Sequence, residues 1–302
     1  MDQERKQYLL KDVVDLHVHT GPSISSRALD VGEMAIDAMR YEYRGFVAKD
    51  HYFPSAPATT TVNKHLAHGK RIAYSTMVMN NSIGGYNLKA VSTAVEMGSL
   101  YISMPTVSAK QHQDFTKRPD IEPFKGGGRS PVAEKPIALV DENGDVVADA
   151  VRVLEYLSKH PEVTLATGHG SSTEVDAVIN KALEIGIKKI HVNHPYFIID
   201  ADIETIGKWA RNGAYIELNA NLILPTSTTG HVVVGKEMLK ELVRVITPQQ
   251  CLLVSDMGQV GNVWPITAMA ELMEKMMTDA GCTENETFIM AKQNPAKMLN
   301  LL

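Results

Sequence analysis

Cysteine is scarce in this sequence. Its 302 residues include only two, Cys251 and Cys282, and neither belongs to a Cys-x-x-Cys pair. Two isolated cysteines cannot build a disulfide framework. The scarcity therefore favours a protein that works in a reducing compartment.

Long apolar runs are missing as well. The chain starts with the mostly charged segment Met1 to Lys6, and only Tyr8 to Leu10 separate it from Lys11, so the apolar core of a signal peptide is lacking. No run approaches the roughly 20 apolar residues that a membrane helix needs. We therefore expect a cytoplasmic protein without a membrane partner.

The sequence also lacks an excess of basic residues. It has 30 Lys and Arg against 35 Asp and Glu, a net charge of -5, whereas nucleic-acid-binding proteins usually present a basic surface. The Gly-rich loop that cradles phosphates and the Gly-x-Ser-x-Gly turn of serine hydrolases are absent too. These absences argue against nucleic acid and leave a small-molecule substrate as the expected partner.

The sequence does contain short apolar runs that alternate with segments of helical periodicity. Strands that alternate with helices predict parallel βα units, and eight of them predict a closed (β/α)8 TIM barrel that forms a single domain over residues 1–302. An open doubly wound sheet is the alternative. The predicted strands are 13–18, 45–48, 71–79, 100–104, 163–166, 189–192, 214–218 and 251–254, and the predicted helices are 31–41, 88–97, 149–158, 174–185, 203–210 and 235–245.

A long interruption, residues 106–147, follows the fourth predicted strand. It contains the triglycine Gly126–Gly128 and, near its end, Asn143-Gly144 between β-prone residues, which is a hairpin signal. An insertion at this position would lie over the C-terminal mouth of a barrel, where lids and substrate loops are found. We therefore predict a lid, and a disordered linker is the alternative.

The first predicted strand ends in the motif Asp-Leu-His-Val-His-Thr, which contains His17 and His19. Because side chains alternate along a strand, both imidazoles project to the same face. Imidazole is a good ligand for Zn, Mn, Fe or Ni, so the pair predicts a divalent metal site. The alternative is a pair of hydrogen-bonded structural histidines.

Other histidines and one aspartate also stand at the ends of predicted strands. His51 follows the second strand, His169 the fifth, His194 the sixth and Asp256 the eighth. Metal-binding and catalytic residues of barrels come from several strand ends at one face. The set therefore predicts one site at the C-terminal mouth.

These residues resemble those of the amidohydrolase superfamily of metal-dependent hydrolases, over about residues 12–302. The sequence looks closest to an uncharacterised cytosolic branch, through Thr167–His169, Gly84–Asn87 and Met104–Thr106. The resemblance implies the metal ligands His17, His19, His169, His194 and Asp256, and the tail 294–301 looks like the closing helix of the family. Strand four ends without the Lys or Glu that would bridge two metals, so a single ion, most typically zinc, is expected.

The mechanism expected for such a site is hydrolysis of an amide, lactone or ester bond by a metal-activated water. Asp256 would act as the general base, and His194 would stabilise the developing oxyanion. We expect Lys49, His51 and His112 to contact substrate, with Lys49 paired to a substrate anion or to Asp50. Alternatives are a mononuclear decarboxylase and a metal-binding barrel without turnover.

A second resemblance is to the PHP phosphoesterases, whose opening also reads Asp-Leu-His-x-His-Thr and whose second strand ends in Asp-His, as at Asp50-His51. The late Asp-x-His motif of that family is missing, since this chain has Ser255-Asp256-Met257 there. A PHP-like phosphoesterase therefore remains an alternative.

Three further expectations concern residues outside this set. Glu217 is expected to stand behind a metal ligand, and His191, which alternates with His194, is expected to face the outer helices. We also expect a homo-oligomer, a dimer first, that forms through the outer helices, with the Met-rich segment 272–277 as a contact surface.

Overall fold

Eight parallel strands form the centre of the computed structural model, which describes residues 1–119, 121, 132–226 and 230–302. They pair in the order of the chain, and each is parallel to its neighbour. The predicted TIM barrel is therefore confirmed. The strands are β1 (Val14–His19), β2 (Gly45–Lys49), β3 (Ala73–Val78), β4 (Tyr101–Ser103), β5 (Thr164–Ala166), β6 (Ile190–Val192), β7 (Tyr215–Asn219) and β8 (Cys251–Val254).

The barrel closes between β1 and the residues that follow β8. The amide of Asp256 donates to the carbonyl of His17, and the amide of His19 donates to the carbonyl of Met257, both at 2.8 Å. Val18 and Met257 form a parallel bridge. The seam of the barrel thus runs through the residues of the predicted metal site.

Helices surround the barrel, and the six predicted ones are confirmed to within two residues at each end. Their polar faces meet solvent, and their apolar faces pack on the strands in one core. The helices are α1 (Gln3–Leu10), α2 (Val31–Arg40), α3 (Ala56–His65), α4 (Leu88–Glu96), α5 (Lys110–Phe115), α6 (Ala148–Leu157), α7 (Ser172–Glu184), α8 (Ile203–Arg211), α9 (Ala220–Ile223), α10 (Lys236–Ile246), α11 (Pro265–Thr278), α12 (Glu284–Phe288) and α13 (Asn294–Met298).

The half of the barrel interior near the amino-terminal ends of the strands is apolar. Leu16, Val47 and Leu252 pack there with Met298 and Leu299 of the tail, and the hydroxyl of Thr164 donates to the carbonyl of Met298 at 2.9 Å. The tail thus closes the amino-terminal end of the barrel. Polar side chains collect at the opposite, carboxyl end.

The insertion after β4 begins with α5 and returns through two isolated bridges. Ala109 pairs in parallel with Ile137, and Val140 pairs in antiparallel fashion with Val146 around the turn at 141–145. The hairpin signal of Asn143-Gly144 is therefore confirmed. The triglycine 126–128 lies outside the described residues, and the lid stays a prediction.

Two further observations bear on partners. Leu272, Met273 and Met276 are fully buried within the chain, so these three side chains offer no surface to a second copy, because α11 turns them toward the barrel. The association of two copies stays a prediction. In the described parts of the chain, no helix combines the length and the apolar character that crossing a membrane requires.

Candidate metal centre

His17 and His19 project from the carboxyl end of β1 toward Asp256. Nε2 of each ring lies 3.0 Å from Oδ1 of Asp256, and all three residues are buried. The ligand atoms of this group lie within 4.8 Å of one another, as a metal ion requires. A second such group consists of His194, Glu217 and Asp256, so Asp256 is shared by both.

The backbone of Asp256 is held in a left-handed conformation, with φ at 53°. Non-glycine residues seldom adopt this conformation, and where they do the strain often accompanies function. Asp256 Oδ2 accepts a hydrogen bond from the side-chain amide of Asn219 at 3.0 Å, and the side-chain amide of Asn221 lies at 3.4 Å. These amides fix the carboxylate so that Oδ1 faces the two histidines.

Gly258 lets the loop after β8 lie directly on β1. Its φ is 121°, and a Cβ at this position would overlap the carbonyl oxygen of His19. Only glycine accepts both the conformation and the contact. The short distance between Asp256 and His19 depends on this close approach.

Glu217 lies behind His17, as expected. Its Oε2 accepts a hydrogen bond from Nδ1 of His17 at 2.9 Å, and it is completely buried. Burial favours the neutral acid, but the neighbouring His17 and His191 hold the pKa of Glu217 well below its usual range. An ionised Glu217 keeps the proton of His17 on Nδ1, so Nε2 carries the lone pair that can bind a metal.

His191 lies inside the barrel, so the expectation that it faces the outer helices is wrong. Its Nδ1 lies 2.7 Å from the hydroxyl of Tyr101, and its Nε2 lies 3.0 Å from Glu217 Oε2 without good hydrogen-bond alignment. The expectation assumed that side chains alternate along one strand from His191 to His194, but β6 ends at Val192. His194 lies beyond the strand, where alternation no longer fixes the direction of a side chain, and both rings point inward.

His169 and His194 complete the ring of histidines. Their ring centroids are 4.9 Å apart, and the His17 and His194 rings lie at 6.0 Å. Of the two metal-compatible groups found among the described residues, neither includes His169. The structure thus gathers the five expected ligands at one mouth, with His169 at the edge of the cluster.

His112 lies against His169. Their Nδ1 atoms are 2.8 Å apart, and the two rings are stacked with 10° between their planes. Burial lowers the pKa of His112 to about 4 and that of His169 well below its usual value, so both rings are neutral at pH 7. One Nδ1–H therefore donates to the other nitrogen, and Nε2 of His169 has no partner within the described chain.

His51 and Lys49 come from the end of β2. Nδ1 of His51 lies 2.8 Å from the hydroxyl of Thr106, and its ring lies 4.9 Å from that of His19. Nζ of Lys49 lies 2.8 Å from Nε2 of His17, and burial lowers its pKa. Lys49 therefore faces the nitrogen of His17 that a metal would use.

The pairing of Lys49 with Asp50 does not occur. The carboxylate of Asp50 accepts hydrogen bonds from the hydroxyl of Ser23 and from the amides of Tyr52 and Phe53. Consecutive residues of a strand point to opposite sides, so Asp50 turns into its own loop while Lys49 points into the barrel.

The hydrogen-bond partners of the buried imidazole nitrogens show whether the residues fit a divalent ion. Nδ1 of His19, Nε2 of His169 and Nδ1 of His194 are enclosed and have no hydrogen-bond partner among the residues described. Such an atom costs about 1–3 kcal/mol when it is left unsatisfied. Imidazole nitrogens with one carboxylate are a donor set typical of zinc and related ions. The residues therefore fit a divalent metal.

The sequence motifs did not draw attention to Asn219, Asn221 or Arg27. Asn219 ends β7 and contacts both Glu217 and Asp256, and its place at a strand end is a signal that could have identified it. Arg27 lies in a loop, and nothing in its sequence context marks it.

Comparisons with known proteins identify the fold. The profile of a family of unknown function, DUF6282, matches residues 12–217, more than half of the chain. That range contains every histidine of the site and Glu217, whereas Asn219, Asn221 and Asp256 lie beyond it. No curated protein sequence matches.

Solved structures with the same barrel include an amidohydrolase from Pseudomonas aeruginosa, at 10% identity and a TM-score of 0.62, covering 98% of this chain and 97% of that one. A protein described as a candidate 2-pyrone-4,6-dicarboxylic acid hydrolase from Pseudomonas putida has 10% identity and a TM-score of 0.56, with 96% and 98% covered. The 2,6-dihydroxybenzoate decarboxylase from Rhizobium has 11% identity and a TM-score of 0.54, with 96% and 99% covered. The resemblance to the amidohydrolase superfamily is thus confirmed at the level of the fold.

Proposed function

Because the chain belongs to the DUF6282 family and shares its barrel fold with amidohydrolases, we propose that it is a metal-dependent hydrolase of a small molecule. The proposed cofactor is one divalent ion, with zinc as the first choice and Mn, Fe or Ni as alternatives. The proposed substrates contain an amide, lactone or ester bond. The observation that carries the proposal is the approach of Nε2 of His17 and of His19 to the same oxygen of Asp256, at 3.0 Å each.

The proposed ligands are His17, His19, His169, His194 and Asp256. A bound divalent ion lowers the pKa of water toward ~7 and polarises a carbonyl group. Glu217 orients His17 through Nδ1, and the amides of Asn219 and Asn221 orient Asp256. These contacts hold the donor atoms before an ion or a substrate arrives, so little free energy is lost in arranging them.

Asp256 is the proposed general base. Its Oδ1 faces the centre of the site, so it can accept a proton from the attacking water and return it to the leaving group. Burial lowers the pKa of His194, which keeps that ring neutral near pH 7. A neutral His194 can still donate one N–H to the oxyanion that develops on the carbonyl oxygen.

A decarboxylase is the second candidate, because one solved structure with this fold is a 2,6-dihydroxybenzoate decarboxylase. A PHP-like phosphoesterase has less support, since the carboxylate of Asp50 is turned into its own loop. A metal-binding barrel without turnover would give no reason for the strained backbone of Asp256.

The test combines metal analysis of the purified protein with a panel of lactones, N-acyl amines, phosphoesters and carboxylated aromatic compounds. The proposal expects close to one divalent ion per chain and turnover of a lactone, ester or amide. Carbon dioxide release from an aromatic acid would favour the decarboxylase. A protein that binds no ion after reconstitution would rule out both.

A further inference from the structure

Arg27 lies at the mouth of the barrel, in the loop between β1 and α2. Its backbone forms an antiparallel bridge with Gln259, and the amide of Ala28 donates to the carbonyl of Gly258 at 2.8 Å. The loop after β1 is thereby attached to the loop after β8. Arg27 is held close to the candidate metal ligands as a result.

The guanidinium of Arg27 has no counter-ion within the described residues. Its side chain is half-buried, and its Nε is fully enclosed without a hydrogen-bond partner. The two carboxylates that act on it electrostatically, Asp50 and Asp256, accept their hydrogen bonds from other groups. An enclosed charged donor without a partner is costly, so a ligand with a negative charge fits this position.

Arg27 also lies beside the loop that carries Asp256, because the side-chain amide of Gln259, its backbone partner, donates to the carbonyl of Asp256 at 3.0 Å. Lys49 adds a second basic group, with Nζ beside His17 rather than beside a carboxylate. Among the residues that the structure describes, no acid therefore lies at hydrogen-bond distance from either of these two basic side chains.

We infer that Arg27 binds a carboxylate of the substrate, so that the substrate class is a small organic acid. The inference rests on the proposed function, which supplies the reacting bond. The planar guanidinium matches a carboxylate through two parallel N–H···O hydrogen bonds. A carboxylate held there would direct the rest of the molecule toward His19 and Asp256, where the bond to be cleaved would lie.

The test uses pairs of compounds that differ in one charge. The metal-loaded protein is titrated by calorimetry with benzoate and with benzamide, and its turnover is compared on N-benzoylglycine and N-benzoylglycinamide. We expect benzoate to bind at least ten times more tightly than benzamide. Arg27→Gln should weaken benzoate binding by roughly 10- to 100-fold, the loss typical of a charge-assisted hydrogen bond, and should leave benzamide binding unchanged.

Controls separate charge, geometry and folding. Arg27→Lys keeps the charge but loses the two parallel donors, so it should recover only part of the affinity. Arg40→Gln removes an exposed arginine of α2 and should have no effect. Because benzoate can also bind an ion directly, the titration is repeated on the metal-free protein, where the effect of Arg27→Gln should persist.

The outcomes distinguish this inference from the proposed function. Equal binding of benzoate and benzamide, or an Arg27→Gln protein that binds benzoate normally, would overturn the inference while turnover of neutral substrates could still support the hydrolase. Phenyl phosphate that bound much more tightly than benzoate would overturn the assignment to carboxylates. Benzoate binding that depends on Arg27 in a protein without turnover would support the inference and count against the hydrolase.

Discussion

Nδ1 of His112 and Nδ1 of His169 lie 2.8 Å apart in two stacked, buried rings. If His169 binds metal through its unpartnered Nε2, its Nδ1–H must donate, and His112 is the acceptor. In that case His112, which was expected to contact substrate, would occupy the place that a carboxylate or a backbone carbonyl often has behind a metal-bound histidine.

His112→Phe should therefore weaken metal binding by roughly 10- to 100-fold, because the phenyl ring keeps the stacking but cannot accept the proton of His169. The measurement is the metal dissociation constant, determined by competition with a chelator. His65→Phe, at an exposed position of α3, is the matched control. Unchanged affinity in His112→Phe would mean that His169 is not a ligand or is oriented by another group.

The roles of His17 and Asp256 should be separable. His17→Asn should remove the ion, because it deletes a donor nitrogen. Asp256→Asn preserves size and an amide oxygen but removes the basic carboxylate, so turnover should fall by roughly 10²-fold or more while most of the metal remains. Elemental analysis and steady-state kinetics on an identified substrate measure both effects. Wild-type turnover in Asp256→Asn would place the base elsewhere, with His194 or His51 next to test.

Gly258→Ala should destabilise the fold by roughly 3 kcal/mol or more, because the new methyl group would overlap the carbonyl of His19 and the backbone conformation is unfavourable for alanine. Urea unfolding of the metal-free protein measures the change. Gly144→Ala is the control, since Gly144 also has positive φ but has open space around it. It should cost only about 1 to 2 kcal/mol. Equal losses in the two variants would show that the β1–β8 contact can relax.

The metal-free protein should lose stability as the pH falls from 6.5 toward 4. Burial lowers the pKa of His112 to about 4, and the pKa values of His19, His51 and His169 are lowered too. In this window the four histidines bind protons in the unfolded chain but not in the folded one, so their titration favours unfolding. Asp15, whose pKa burial raises to about 6, offsets only part of this effect. For His112 alone the loss is at most about 3 kcal/mol.

Urea unfolding at several pH values measures this slope. His112→Phe should show a shallower decline below pH 6.5 than the wild type, whatever its stability at pH 7. Parallel curves for the two proteins would contradict the lowered pKa of His112.

The barrel could be predicted because each of its parallel strands is buried on both faces and so appears as a short apolar run. Several helices were not predicted, and α1 and α3 show why. In α1 the residues Gln3 to Lys6 are polar, and the helix is held by its cap at Asp2 and by ion pairs of Arg5 with Glu274 and Glu284. Those pairs depend on tertiary structure, which a local pattern does not contain. In α3 a run of three threonines lowers the helical propensity.

The candidate site could be predicted to the level of strand ends. The contacts between individual atoms of the site could not be predicted, because they depend on the register between strands and on the path of the loops. His19 and Lys49 are direct neighbours in the β1–β2 register, so Lys49 reaches His17 rather than Asp50. The contact of His112 with His169 needs the insertion to fold back over β5, and no local pattern encodes that.

His19 and Asp256 are 237 positions apart in the chain, yet Nε2 and Oδ1 are 3.0 Å apart. An ion bound by both would cross-link the first and last strands and close a loop that includes almost the whole barrel. Its binding would add directly to the stability of the closed form. Native-state hydrogen exchange at the amides of His19 and Asp256 should then be among the slowest in the loaded protein, whereas without the ion the barrel should open first along this seam.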